Sequence, residues 1–126
     1  MDLEKLLDEI TDLLDRQGIR WALIGGMALG AYGVGRHTAD VDLVVDRDSQ
    51  TTLVSRLEEA GFETLFVSSG YSNHTRGKDR VDFVYVNVTT ADQLFGKARV
   101  IDSGERRLQV VSPEHLAAMK VLAMKN

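Results

Sequence analysis

The chain has 126 residues, of which 44% are hydrophobic and 27% are charged, a balance typical of a single globular domain with its own core. Its 19 acidic residues against 15 lysines and arginines give a net charge of −4, which argues against a protein that coats nucleic acid. The absence of cysteine excludes disulfides, thiolate metal sites and cysteine nucleophiles. No apolar run approaches the ~18 residues of a membrane helix and the acidic N-terminus is unlike a signal peptide, so we expect a cytoplasmic protein that does not bind a membrane.

Hydrophobic periodicity predicts helices and strands in alternation along the chain. The first half is predicted as helix 3–14, strand 20–24, short helix 27–32, loop 33–38, strand 40–45, helix 49–60 and strand 64–67. The second half is predicted as a polar segment 68–80, part of which can be strand with a turn at 77–79, then strand 81–88, helix 90–98, a hairpin 100–111 and a helix from 112. We therefore expect an α/β (α+β) fold, a small mixed β-sheet flanked by helices, in one domain over residues 1–126.

Helix ends are marked by residues with known capping preferences. Gly18 and Gly61 fit the position after a helix, where a left-handed backbone is common. The predicted starting residues are Asp48 or Ser49, Thr90 with Gln93 in capping-box spacing, and Ser112-Pro113-Glu114. The last helix stays apolar almost to the final residue, so we expect relatives that continue further. A second copy or another partner would cover its exposed stripe, Val121, Leu122 and Met124.

A glycine pair and two alternating aspartates carry the chemistry of the first half. A hydrophobic run ends in Gly25-Gly26, a turn whose backbone N–H groups can approach a phosphate. Side chains alternate along a strand, so Asp40 and Asp42 share one face. Neighbouring carboxylates repel each other unless a cation lies between them, and Mg²⁺ prefers such oxygen ligands. The segment therefore predicts a metal site that faces a phosphate-binding turn.

Three other motifs that use glycine or aspartate do not fit this segment. A P-loop requires lysine where Ala31 stands, and the dinucleotide-binding pattern requires glycine at Thr38. An EF-hand would need an oxygen ligand at Val44 and glycine at Val45. These three classes of nucleotide or calcium site are excluded.

Asp82 supplies a third carboxylate within a strand that is otherwise apolar and aromatic. If its strand neighbours that of Asp40 and Asp42, three carboxylates meet on one face of the sheet. Such a cluster can hold two metal ions about 4 Å apart, which suits in-line phosphoryl transfer.

Taken together, these residues resemble the nucleotidyltransferase superfamily, whose catalytic domain is built like the palm of DNA polymerase β. The matching parts are Ile24-Gly25-Gly26, Asp40-Val41-Asp42-Leu43 and Val81-Asp82-Phe83. Residues 36–39 and the helix 112–120 look most like the minimal nucleotidyltransferases and abortive-infection (AbiEii-type) toxins. Gly26 departs from the serine of many members, which removes a hydroxyl contact to phosphate.

The resemblance implies transfer of a nucleoside monophosphate from a nucleoside triphosphate to a hydroxyl of a protein, an RNA such as tRNA, or a small molecule. Asp40, Asp42 and Asp82 would be the catalytic residues and the ligands of two Mg²⁺ ions, with Mn²⁺ as an alternative. Asp82 would also help to activate the attacking hydroxyl. The nucleotide-binding residues would be Gly25, Gly26, Arg36, Thr38 and Lys120. A toxin–antitoxin or abortive-infection role ranks above an antibiotic-type transferase, so an antitoxin or a second copy would be a partner.

A non-catalytic domain that binds a nucleotide or a partner would keep the same scaffold. The short chain favours such a domain, and the complete set of three acids opposes it. Arg36, Thr38 and Lys120 also fit ordinary surface or strand positions. Arg76, Lys78 and Arg80 are predicted in a solvated turn, and His37, His74 and His115 on the surface.

Overall fold

A computed structural model describes residues 3–24, 40–103, 106–112 and 115, and gives the backbone alone for Leu3, Asp40, Ser103 and Arg106. The described helices are α1 (Leu3–Arg16), α2 (Gln50–Glu59), which follows the 3₁₀ turn Arg47–Ser49, and α3 (Val88–Gly96). The strands are β1 (Trp21–Ile24), β2 (Asp40–Asp46), β3 (Glu63–Val67), β4 (Tyr71–Arg76), β5 (Asp79–Val86), β6 (Arg99–Ser103) and β7 (Arg106–Val110).

These strands form one mixed seven-stranded sheet in the order β3-β4-β5-β2-β1-β7-β6. The pairs β2–β5 and β1–β7 are parallel, and the other four pairs are antiparallel. The mixed α/β sheet predicted from the sequence is confirmed, and β2 and β5, which carry the predicted carboxylates, are direct neighbours at its centre.

One face of the sheet carries the main hydrophobic core, covered by α1 and α2. Trp21 of β1 reaches α1 through a 2.9 Å hydrogen bond from Nε1 to Asp15. Arg76 of β4 donates to Glu9 of α1 at 2.7 and 2.8 Å. The buried apolar residues of this layer include Ile10, Leu14, Leu43, Leu53, Leu57, Val81 and Phe83. Burial of about 25 cal/mol per Å² of apolar surface makes this layer the main source of stability.

Helix α3 lies against the opposite face, at one end only. Arg20 holds it there, with its guanidinium 2.8 Å from Asp92 of α3 and 3.1 Å from Asp46 of β2. Asp46 is four residues from Asp42 on the same strand face, which corresponds to about 13 Å. The ion pairs that hold α3 thus lie at the Asp46 end of this face.

Several element boundaries differ from the sequence prediction. Helix α3 begins two residues early because Asn87, not Thr90, is its N-cap and accepts a hydrogen bond from the Thr90 N–H. Ser49 is the N-cap of α2, one of the two residues predicted, but its side chain makes no capping hydrogen bond. The polar segment 68–80 contains a complete strand, β4.

Other predicted ends are confirmed. Gly18 and Gly61 take positive φ angles of 68° and 95° after α1 and α2, the conformation that lets a helix end without a side-chain clash. Ser112 Oγ accepts from the His115 N–H at 3.4 Å, as an N-cap does; the rest of the last predicted helix lies outside the described residues. No helix in the described part of the chain has the length and apolar character needed to span a membrane.

Candidate active site

Asp42 and Asp82 are opposite each other across the central strand pair. In the parallel β2–β5 ladder, Asp42 is the register partner of Asp82. Partnered residues on adjacent strands share a face and lie about 5 Å apart at Cα. The register follows from the buried residues on either side, because Val41, Leu43, Val81 and Phe83 face the core and a slip by one residue would expose all of them. The structure therefore brings these two predicted carboxylates together.

The remaining predicted residues are located only in part. Asp40 lies two residues before Asp42 on β2 and is the backbone partner of Arg80. Five predicted nucleotide-binding residues lie outside the described residues: Gly25, Gly26, Arg36, Thr38 and Lys120. Their roles stay predictions.

Arg80 is the nearest described cation to this pair. Its Nε donates to Asp82 Oδ1 at 3.3 Å, from a side chain that is 40% exposed to one that is 13% exposed. Both residues point from β5 to the same face, since they are two positions apart. A half-exposed ion pair of this kind contributes under about 1 kcal/mol, so it offsets part of the carboxylate repulsion and is easily displaced. The prediction that Arg80 lies in a solvated turn is wrong.

Tyr71 of β4 adds a hydroxyl to the same face. Burial raises the pKa of Tyr71, and the negative charges of Asp82 and Asp42 raise it further, while a hydrogen bond with Arg80 opposes them. The phenol therefore stays protonated at neutral pH and can donate a hydrogen bond. No sequence signal pointed to Tyr71, because its proximity to Asp82 depends on the pairing of β4 with β5.

Asn73 continues the line of polar residues across the sheet. It is the register partner of Asp82 in the antiparallel β4–β5 ladder. Its Oδ1 is buried and, within the described parts of the chain, accepts no hydrogen bond. An unpaired buried acceptor costs about 1–3 kcal/mol, so this oxygen is poised for a donor or a cation.

The donor set fits a hard divalent cation. Two carboxylates in register and a neighbouring unpaired amide oxygen are the ligand types that Mg²⁺ binds. Among the described side chains, no group of three or more histidines and acids has the arrangement of a metal site. The described part of Asp40 is its backbone, so the three-carboxylate cluster stays a prediction.

Two basic residues of β4 have structural roles that the sequence did not indicate. Arg76 binds Glu9, Asp79 and the Ala60 carbonyl, and its guanidinium lies 4.3 Å from the centre of the Phe62 ring. His74 is fully buried rather than on the surface. Both residues point away from the carboxylates, to the face covered by α1 and α2, because β4 alternates.

Comparison with protein families gives one match, to the family described as aminoglycoside-2''-adenylyltransferase, over residues 6–93. This region includes Asp40, Asp42 and Asp82. Among curated proteins, no sequence match is found.

Solved structures share the fold. The lincosamide antibiotic adenylyltransferase LnuA, in a lincomycin-bound crystal structure, is 16% identical, with a TM-score of 0.75 over 91% of this chain and 84% of that chain. ANT(2'')-Ia in complex with adenylyl-2''-tobramycin is 18% identical, with a TM-score of 0.77 over 96% and 75% of the two chains. TM1012 of Thermotoga maritima, a proposed nucleotidyltransferase, is 15% identical, with a TM-score of 0.71 over 96% and 84%.

At these identities the solved structures show a common fold. The family match covers more than half of the chain, from α1 into α3, and includes both carboxylate strands. This chain belongs to the aminoglycoside-2''-adenylyltransferase family of nucleotidyltransferases.

Proposed function

We propose that this chain transfers a nucleoside monophosphate from a nucleoside triphosphate, with ATP as the first candidate, to a hydroxyl group of a small-molecule acceptor, in the presence of a divalent metal. The observation that carries the proposal is the register of Asp42 with Asp82 at the start of two parallel strands. Among the acceptors that the sequence left open, family membership favours the small molecule over a protein or an RNA. It also favours the antibiotic-type transferase, which the sequence ranked below the toxin-like role.

Asp42 and Asp82, together with Asp40, would hold Mg²⁺ or Mn²⁺. When bound, the metal supplies Lewis-acid stabilisation of negative charge on the phosphate oxygens. In the reaction, the acceptor oxygen forms a bond to the α-phosphorus, the bond from the α-phosphorus to the bridging oxygen breaks, and pyrophosphate leaves. Asp82 would accept the proton of the attacking hydroxyl.

The cationic and neutral groups beside the carboxylates have supporting roles in the proposal. Arg80, released from Asp82 by the metal, would bind a phosphate oxygen through its guanidinium. Tyr71, which remains protonated at neutral pH, would donate a hydrogen bond to a substrate group beside Arg80. The backbone of Gly25 and Gly26 would bind the triphosphate, with the side chains of Arg36, Thr38 and Lys120 as further contacts.

A domain that binds a nucleotide without transferring it is the second candidate. The ion pair between Arg80 and Asp82 favours it, because Arg80 occupies an oxygen of a carboxylate that a metal would need. The two candidates differ in one result. Both predict that a triphosphate stabilises the fold, but only the transferase predicts a labelled acceptor.

The test combines binding and transfer on the purified protein. Thermal melts with Mg²⁺ and ATP, CTP, GTP or UTP detect binding, because a ligand of the native state adds RT ln(1 + [L]/Kd) to its stability. Transfer is then followed with α-labelled triphosphate and lincomycin or tobramycin as acceptor, with pyrophosphate release as the second product. We expect a melt shift with at least one triphosphate and a labelled antibiotic, both abolished by EDTA.

The outcomes separate the candidates. A melt shift without a labelled product from either antibiotic supports the binding domain. No shift with any of the four triphosphates at millimolar concentration contradicts both candidates.

A further inference from the structure

Strand β3 carries an exposed apolar segment at the sheet edge nearest the carboxylates. Leu65, Phe66 and Val67 are 53%, 54% and 50% exposed, and β3 is the last strand on this side of the sheet. Consecutive large apolar side chains in water are unfavourable, and such patches mark sites of interaction. Packing against the core does not account for this segment, because Phe62 and Thr64, which precede it, supply the core-facing positions.

A β-bulge determines which face Phe66 occupies. Thr64 pairs with His74, but Phe66 pairs with Asn73, so Leu65 is an extra residue without its own partner on β4. A regular ladder would have paired Phe66 with Ser72, whose side chain is buried on the opposite face. The single inserted residue therefore turns Phe66 to the face that carries the carboxylates, as bulges beside functional sites commonly do.

Phe66 is in line with the candidate active site. Register partners run straight across four strands, from Phe66 to Asn73, then Asp82, then Asp42. Two strand spacings separate Phe66 from Asp82, which is about 10 Å. Tyr71 lies between them on β4, with its ring centre 6.3 Å from that of Phe66 and tilted by 43°. The two rings form an aromatic surface beside the reacting groups, which we call the acceptor platform.

We propose that the acceptor platform of Phe66 and Tyr71 binds an apolar face of the acceptor, and that the acceptor is a hydroxyl compound with such a face. The inference rests on the proposed function and adds the chemical class of its acceptor. The separation of about 10 Å between the strand positions of Phe66 and Asp82 is the distance that such an acceptor would span, from its apolar face to the hydroxyl that it presents to the carboxylates.

The test uses two glycosides with the same hydroxyl groups. Phenyl β-D-glucopyranoside has an apolar aglycone, and methyl β-D-glucopyranoside lacks it. Saturation-transfer NMR and titration measure the binding of each glycoside to the wild-type protein, both with and without Mg²⁺ and ATP. Thermal melts follow the binding of ATP separately. The variants are Phe66→Ala and, as a matched control on the far edge of the sheet, Val100→Ala, where Val100 is similarly exposed at 60%.

We expect the phenyl glycoside to bind at least about tenfold more tightly than the methyl glycoside, as burial of one aromatic ring allows. Phe66→Ala should remove this preference and Val100→Ala should keep it. Equal binding of the two glycosides, or a preference that survives Phe66→Ala, overturns the inference.

Light scattering of the same samples tests the competing occupant, a second copy of the chain paired along β3. A dimer that Phe66→Ala converts to a monomer assigns the segment to self-association and overturns the inference. Because glycoside binding is also measured without the triphosphate, a failure of ATP to bind counts against the proposed function separately, while the glycosides still decide the platform.

Discussion

Strands β4 and β5 carry two polar clusters on opposite faces, and the two clusters differ in how their hydrogen bonds are satisfied. On the core face, both ring nitrogens of His74 are paired, Nδ1 with Thr64 Oγ1 at 2.9 Å and Nε2 with Ser72 Oγ at 2.8 Å. Ser72 Oγ in turn lies 2.6 Å from the Tyr85 hydroxyl. This closed cluster is complete within the chain.

The cluster on the other face contains one acceptor, Asn73 Oδ1, that has no donor among the described residues. This oxygen is buried, and Asp42 and Asp82 are juxtaposed carboxylates. Buried polar groups that satisfy one another stabilise a fold, whereas groups that lack partners indicate a place for a ligand. In the proposed function, alternate residues of the same two strands would therefore serve stability on one face and chemistry on the other.

The largest expected effect comes from Asp82→Asn. In the proposed mechanism this change removes a metal ligand and a proton acceptor, so transfer should fall by at least about a hundredfold. Asparagine keeps the shape of the aspartate side chain and relieves its electrostatic repulsion with Asp42, but the ion pair with Arg80 is lost. We therefore expect a metal-free melting temperature at or slightly above that of the wild type, measured by thermal melts beside the transfer assay.

Asp102→Asn is the matched control for this change. Asp102 is a carboxylate on β6, also paired with an arginine, Arg107, at 3.6 Å, but it is 79% exposed and at the far edge of the sheet. The Asp102→Asn variant should retain the transfer activity and the melting temperature of the wild type. If Asp82→Asn unfolds the protein, Asp82 belongs to a structural cluster and the contrast between the two faces is wrong.

His74→Leu should produce the opposite result. The variant removes two buried hydrogen bonds, while Thr64 and Ser72 keep their contacts with Glu58 and Tyr85. We expect a loss of about 2 kcal/mol in the free energy of unfolding, measured in urea, with transfer retained. Loss of transfer at unchanged stability would place His74 in the active site rather than in the core.

The closed cluster should also make stability depend on pH. Burial lowers the pKa of His74 below 6.5, against the opposing charges of Glu58 and Asp82. Between the two pKa values the unfolded chain binds more protons, so the stability that neutral His74 contributes is complete above pH 6.5 and is lost as the pH falls below it. The free energy of unfolding should decline by up to about 1.4 kcal/mol per pH unit.

Urea unfolding between pH 7.5 and about 5, above the usual carboxyl range, isolates this effect. The decline should be absent in His74→Leu. An equal decline in both proteins would assign it to other groups.

The sequence predicted the parts of the fold that depend on local pattern. Alternating apolar residues located β2 and β5, and the glycines after α1 and α2 marked the helix ends, because these signals lie within a few residues of each other. The pairing of Asp42 with Asp82 was also anticipated, since an acid inside a buried strand needs a partner. The helix start at Asn87 was missed because Thr90 and Gln93 have the spacing of a capping box, which marks a helix start three residues later in the sequence.

The features of the site that the sequence could not predict depend on the register of strand β4. Its residues are polar on both faces, so alternation indicates no inward side, and His74 and Asn73 look alike until the register is known. Tyr71 reaches the carboxylates only through that register, whereas Arg80 is two residues from Asp82 on β5 and was missed because it was assigned to a turn. The bulge at Leu65, which turns Phe66 to the site, has no sequence signal, because it involves no glycine and shows only as a register shift against β4.

The smallest expected effects come from one chemical change made on each face, Tyr85→Phe and Tyr71→Phe. Each variant loses a hydroxyl and keeps its ring. Tyr85 is buried and its hydroxyl lies 2.6 Å from Ser72 Oγ, so Tyr85→Phe should lower the free energy of unfolding by about 1 kcal/mol and leave transfer unchanged.

Tyr71→Phe should change stability by less than about 0.5 kcal/mol, because Tyr71 is only partly buried. It should lower kcat by up to about tenfold, since Arg80 loses the hydrogen bond that orients it beside Asp82. The acceptor KM should stay the same, because the phenylalanine ring preserves the acceptor platform. Urea unfolding and steady-state kinetics on both variants measure stability and transfer side by side. If Tyr71→Phe costs as much stability as Tyr85→Phe, the two faces do not divide stability and chemistry between them.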